Sequence, residues 1–262
     1  MDIDLHTGDR IPAVVSAQIL LKQFIDPTVN VTGQFENSTR NAILKMATRF
    51  YRPNGNSITG RGWLFLLQKS GLKVIDVIDG ADPAQVSTIS AIRTTGSPYP
   101  ASAHMIVNGP ASNSIGGVVD EIVKFAGISS IILLRFHGHG APGYQGVSSG
   151  KEFTPAEKNA INIDNLKDIS SELNKISPCF VPFGSVELHG CETGQGPKGS
   201  QLLQELAMLW GVPVSAGTTK QISGGMGSAT FRFEGKPVIK TPSGGALEGW
   251  AKAVEHTRTF IL

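Results

Sequence analysis

Between Val14 and Leu67, apolar residues recur every three or four positions in VVSAQILLKQF, NSTRNAILKMATRF and TGRGWLFLLQ, which predicts three short helices. Ala42, Ile43, Met46 and Phe50 share one face of the second, and Asn37 or Ser38 stands where its N-cap belongs. Pro53 to Gly55 form the turn before the third. From about Ser70 to Ala101 the chain is rich in Gly, Asp, Ser, Thr and Pro around one candidate strand, LKVIDVI. This stretch reads as a linker that becomes the first edge of a second domain.

Beyond the linker the rhythm changes, and strands alternate with helices. Strands are expected at 103–108, 129–136, 185–189 and 212–217, with helices at 112–125, 164–176 and 200–210 between and after them. Alternation of this kind predicts parallel pairing with helices on both faces, and the apolar run IILLRF suits a strand buried on both sides. ATFRFEG and KPVIKT read as a two-strand hairpin around Gly235, before a last helix from about Gly245 to His256. The expected organisation is a small all-α domain at 1–70, a linker at 71–100 and an α/β domain with a mostly parallel sheet at 101–262.

Composition narrows the function. Lys and Arg number 23 against 21 Asp and Glu, and they are scattered singly, so the clustered basic stripe of a nucleic-acid binder is missing and no nucleic-acid partner is expected. No stretch approaches the roughly 18 apolar residues of a membrane span, so no membrane partner is expected either. The start, MDIDLHTGDR, is acidic where a secretory leader is basic and then apolar, so no signal peptide is read there and the location stays open between the cytoplasm and export by a dedicated secretion apparatus. With Cys179 and Cys191 as the two cysteines, a disulfide framework is excluded and each thiol can be weighed alone.

In an open parallel sheet the ligand crevice lies beyond the carboxyl ends of the strands. Two predicted strand ends carry chemistry there: IILLRF runs into His137-Gly138-His139-Gly140-Ala141-Pro142-Gly143, and VELH runs into Gly190-Cys191-Glu192-Thr193-Gly194. An imidazole and a thiol at one edge are the minimum for covalent acyl transfer, since the thiolate attacks while the imidazole manages the proton. Gly140 leaves its backbone N–H unobstructed, and with the Cys191 amide it would supply two donors to a tetrahedral oxyanion. Cys191, between glycines and polar neighbours, is poorly suited to core packing, whereas Cys179 in SPCFVP reads as core. His137, His139, His189 and Cys191 also have the donor types of a zinc site, but the glycine placement has no role in one, and no metal is expected.

These two motifs resemble those of the caspase-like (clan CD) cysteine peptidases, the group of caspases, legumains, gingipains and bacterial CHAT domains. His139-Gly140-Ala141-Pro142-Gly143 is similar to the legumain pattern and Cys191-Glu192-Thr193-Gly194 to the CHAT pattern, within a resemblance covering approximately residues 100–220. It implies a caspase-like α/β fold, Cys191 as nucleophile, His139 as base, and Gly140 with the Cys191 amide as oxyanion donors. It also implies a thiol protease acting on protein or peptide substrates without a cofactor. His189, two before the nucleophile, falls where the family lines the pocket for the residue preceding the scissile bond, and His137 adds a second imidazole nearby. Family members carry Asp, Glu or Gln at the former position, so no specificity carries over.

The first module has its own likeness. Gly33, Phe35, Thr39, Ala42, Ile43 and Trp63 are similar to the pattern of a bacterial peptidoglycan-binding module, which implies peptidoglycan as a partner through residues 14–67. The expected function is therefore a bacterial caspase-like cysteine endopeptidase, with an idle caspase-fold scaffold or a cell-wall peptide hydrolase as alternatives.

Overall fold

A computed structural model describes residues 5–48, 51–58, 60–80, 103–108, 114–148, 159–221 and 232–256. In chain order the elements begin with β1 (Leu5–His6), α1 (Pro12–Phe24), α2 (Asn37–Lys45), β2 (Ser57–Ile58), α3 (Gly60–Ser70), β3 (Lys73–Asp79) and β4 (Ala103–Asn108). They continue with α4 (Ile115–Ala126), β5 (Ile131–His137), β6 (Gly140–Ala141), β7 (Tyr144–Gly146), β8 (Ala160–Asn162), α5 (Leu166–Asn174) and β9 (Phe180–Leu188). The last are α6 (Gly196–Trp210), β10 (Val214–Ala216), β11 (Val238–Lys240) and α7 (Leu247–Ala253).

The central sheet has the order β11-β10-β9-β5-β3-β4, with five parallel strands and β11 antiparallel at one edge. The chain reverses its direction of travel across the sheet between β3 and β5, and at such a switch point loops diverge and leave a crevice at the carboxyl ends. β5 is buried at every position, as a strand covered on both faces must be.

Parallel register sorts the side chains into two faces. Ile75, Val77, Leu134, Phe136, Val186, Leu188, Val214 and Ala216 share a cluster with the buried stripes of α4, α5 and α6. In α4 that stripe is Ile115, Val118, Val119, Ile122 and Ala126, at helical spacing, and Ser114 caps the helix by accepting the Gly117 N–H at 3.0 Å. The helix α6 begins with Pro197 in its first turn and ends at Gly211, whose φ of 70° is a left-handed C-cap. On the opposite face, Val74, Leu133, Val181 and Phe183 join Leu20, Leu21, Ile43, Trp63 and Leu66 in a second cluster.

That second cluster alters the expected organisation. Three N-terminal helices form in the expected order, although the second ends at Lys45, before Met46, and Phe50 lies outside the described residues; they share one core with the sheet instead of closing on a core of their own. The helix α1 is buried continuously from Pro12 to Leu21, as a helix sandwiched on all sides must be, and Ser16 Oγ donates to the Phe183 carbonyl at 2.8 Å. The candidate strand of the expected linker is β3, an inner strand between β4 and β5 and not the first edge, while residues 81–102 lie outside the described residues.

Smaller differences have local causes. Helix α2 starts at Asn37 with Glu36 at the N-cap and no side-chain cap bond, so neither Asn37 nor Ser38 caps it. Strand β9 begins at Phe180, earlier than expected, and its register slips between Ile131 and Leu133 of β5, where a Cβ on Gly184 would stand 2.8 Å from the Ile131 carbonyl oxygen. The expected hairpin around Gly235 is replaced by pairing of β11 with β10; residues 232–235 are not strand, and 229–231 lie outside the described residues.

A shared core makes a quantitative prediction. Phe183→Ala, on the sheet but under α1, should cost about 3–5 kcal/mol. Urea unfolding should report this loss in one transition sensed equally by the N-terminal helices and the sheet, whereas two separate transitions would show an independent helical domain.

Candidate functional site

Strands β5 and β9 are neighbours and end at the same edge of the sheet, with Phe136 opposite Leu188 in the last register pair. The His189 N–H donates to the Phe136 carbonyl at 2.8 Å and extends the ladder, so the two motifs leave the sheet together. Beyond β5, Gly140 and Ala141 open the small antiparallel sheet of β6, β7 and β8. Beyond β9, residues 191–194 form a turn that leads to α6.

The closest approach is between backbones. A Cβ built on Gly140 would lie 2.5 Å from the Gly190 carbonyl carbon, 2.6 Å from the Cys191 amide nitrogen and 2.5 Å from Thr193 Oγ1. No side chain fits there, which is a physical reason for glycine after His139. Hydrogen bonds hold the approach on both sides. The fully buried Gln145 accepts the Gly190 N–H at 2.8 Å and donates to the Gly146 carbonyl at 2.9 Å, while the Gly146 N–H donates to the His139 carbonyl at 2.7 Å. Thr193 Oγ1 donates to the Tyr144 carbonyl at 2.9 Å, and the Gly143 N–H donates to the Thr193 carbonyl at 3.0 Å.

Cys191 and His139 are both half-buried, at the surface of this junction. The Gln221 amide N–H donates to Cys191 Sγ at 3.3 Å, and no hydrogen bond joins Cys191 to His139 among the described residues. Glu192 adopts a φ of 58°, an uncommon left-handed conformation outside glycine, and its N–H donates to the Thr219 carbonyl at 2.9 Å. The other thiol differs in kind: Cys179 is buried in the apolar cluster, and burial pushes its pKa up.

The two further histidines lie inside the sheet layer. His137 and His189 are 3% and 5% exposed, and their rings stack with centroids 4.9 Å apart. His137 Nε2 is 2.8 Å from Asp76 Oδ1, His189 Nε2 is 2.9 Å from Glu187 Oε2, and the Phe233 ring stacks on His189 with centroids 4.4 Å apart. Neither ring lies open to a substrate in this arrangement. Among the described residues no three His, Cys, Asp or Glu side chains converge as a metal site.

One row behind the histidines, Asp76, Arg135, Glu187 and Ser215 sit side by side on four neighbouring strands. Arg135 binds Asp76 bidentately at 2.7 and 2.9 Å, with both side chains 1% exposed. Burial alone would raise the Asp76 pKa, but the Arg135 guanidinium and the His137 hydrogen bond override it and hold the carboxyl well below its usual range. Burial dominates at His137 and lowers its pKa to about 4, against the opposing pull of Asp76. Asp76, Arg135 and Glu187 did not emerge as site candidates from the sequence, although a signal was there: each is a charge between two apolar neighbours in the interior of a strand.

The architecture is that of an open, mostly parallel α/β sheet with its candidate chemistry at the carboxyl ends, beside the switch point. Residues 106–228 match a family described as a domain of unknown function (DUF4347), a span that takes in both strand ends. No curated protein matches the chain, and no solved structure does. Among the described residues no helix is long and apolar enough to cross a membrane.

Two outcomes follow from this geometry. Gly140→Ala must push the two strand ends apart, so Cys191 alkylation kinetics and thermal stability should both change, while Gly127→Ala, which meets no atom within 4 Å, should change stability alone through its φ of 73°. The second concerns pH. His137 stays neutral in the fold down to about pH 4, but the unfolded chain protonates it below about 6.5. Acidification across that window therefore favours the unfolded chain, by roughly 3 kcal/mol at most through this group. Denaturant unfolding from pH 7 to 4 should show a smaller decline in His137→Gln; the Asp76 contribution is lost only lower, as pH falls below about 3.8.

Proposed function

We propose that this protein is a caspase-like cysteine endopeptidase. The observation that carries the reading is the seating of Gly140 against the Gly190–Cys191 peptide, which joins the His-Gly and Cys-x-x-Gly motifs at one sheet edge. The strand order supports it, since β5 and β9 are adjacent parallel strands and each ends in one motif. In this reading the Cys191 thiolate attacks the scissile carbonyl, and the amides of Gly140 and Cys191 receive the oxyanion. His139 then gives its proton to the departing amine, leaving an acyl-enzyme thioester. Water hydrolyses the thioester and returns the proton to the dyad. No step calls on a group other than these side chains, amides and water.

The N-terminal helices serve in this reading as a cover for the sheet. Gly33, Phe35, Thr39, Ala42, Ile43 and Trp63 are all buried, so the residues that carry the peptidoglycan-binding likeness are spent on packing. A glycan contact through residues 14–67 would have to use other side chains.

One observation favours a second reading, a catalytically idle scaffold: the sulfur is hydrogen-bonded to Gln221 and not to His139. Catalytic hydrogen bonds are often formed only with substrate present, so labelling decides better than resting geometry. Chloroacetamide should alkylate Cys191 much faster than Cys179, and His139→Ala should slow that reaction. Against a peptide library, Cys191→Ala should lose at least about 10³-fold of the hydrolysis and His139→Ala roughly 10²–10⁴-fold. Equal, slow labelling of both thiols would leave the scaffold.

A further inference from the structure

A cavity of about 340 Å³ lies against the helix α1 side of the sheet, with Arg135 and Glu187 in its lining. Both are more than nine-tenths buried and sit next to each other in the β5–β9 register. Its outer wall is the segment from Arg232 to Ile239, including Phe233, and Leu5 and Ile11 add apolar surface. The wall is tied to the candidate nucleophile. Gln221, whose amide binds Cys191 Sγ, accepts the Glu234 N–H at 2.9 Å and donates to the Glu234 carbonyl at 3.2 Å.

Arg135 is paired with Asp76, and the Glu187 carboxylate meets His189 Nε2 through Oε2. Beside Glu187 in register, Ser215 Oγ is buried with no hydrogen-bond partner among the described residues. The rim carries Arg10, Arg232 and Lys236, but Arg232 is neutralised by Asp9 at 2.8 and 3.1 Å, and Arg10 and Lys236 are exposed. Exposed charges are screened by water and salt more than desolvated ones, so Glu187, whose His189 bond engages one of its two oxygens, is the lining group that receives a cation, while the buried Arg135 is already bidentate to Asp76. Apolar walls suit an aliphatic stem, and the Phe233 ring suits a cation.

Resting on the peptidase reading, we propose that this cavity is the subsite for a basic side chain, arginine or lysine, on the residue whose carbonyl Cys191 attacks, with Glu187 as the specificity-determining residue. Glu187 lies inside β9, four residues before Cys191, so a side chain that meets it from the scissile carbonyl has to be long and unbranched.

The test has two arms, hydrolysis by the wild-type protein and binding by Cys191→Ala. Fluorogenic peptides varied at the acyl-side residue should be cleaved after Arg or Lys and not after Asp, Asn or Leu. Agmatine, a guanidinium probe, should inhibit competitively and bind Cys191→Ala by calorimetry. Adding Glu187→Gln should weaken agmatine roughly tenfold to a hundredfold, with circular dichroism checking the fold. Cleavage after acidic or neutral residues overturns the subsite and leaves the peptidase. Agmatine binding that depends on Glu187 with no peptide cleaved overturns the peptidase and leaves the cation site. Absent agmatine binding by the folded Cys191→Ala protein overturns the site without need of the second variant.

Discussion

The contact on which the candidate site depends is backbone against backbone. Gly140 lies on the peptide joining Gly190 to Cys191, so two loops that follow neighbouring strands are held closer than any side chain at that position permits. Strand pairing alone aligns β5 and β9 only as far as Phe136 and Leu188. Past that point the alignment is carried by Gln145, Thr193 and the amides of Gly143, Gly146 and Gly190. Buried polar groups held by several partners are costly to displace, so this junction is a rigid platform from which the half-buried Cys191 and His139 project.

Behind the platform the sheet changes character along its length. Near the amino ends of the strands its α1 face is apolar, with Val74, Leu133 and Phe183 under the helices. Toward the carboxyl ends the same face becomes ionic, with Asp76, Arg135, His137, Glu187 and His189 all buried. Desolvating so many ionisable groups is expensive, and a buried ion pair rarely returns more than an apolar replacement would. Their placement next to the strand ends, and next to a cavity, fits a functional layer better than a stabilising one.

The N-terminal segment supplies the complement to this layer. The helices α1 and α3 seal the apolar half of the face, and the loop from Gly8 to Ile11 reaches the ionic half, where Asp9 grips Arg232. The segment that resembled a separate module thus contributes to the wall of the cavity. A role of this kind makes its integrity a condition for the pocket, whatever else its exposed surface contacts.

How much of this was legible beforehand follows from which interactions are local. Helical spacing in VVSAQILLKQF and strand-helix alternation after residue 103 are written in the chain, because burial of one face imposes a period on nearby residues. The glycines beside His139 and Cys191 were legible for the same reason, since a missing side chain signals a close approach even before its partner is known. What the sequence could not settle was partnership. LKVIDVID gives no sign of lying between β4 and β5, the burial of three helices against the sheet has no local signature, and the charges in LKVIDVID, IILLRF and SVELH remain oddities until parallel register sets them in one row. By itself the sequence determined the elements and the chemically able residues, through short-range periodicity and residue type. Only the tertiary structure decided which of them face one another, because register and layer packing join positions far apart in the chain.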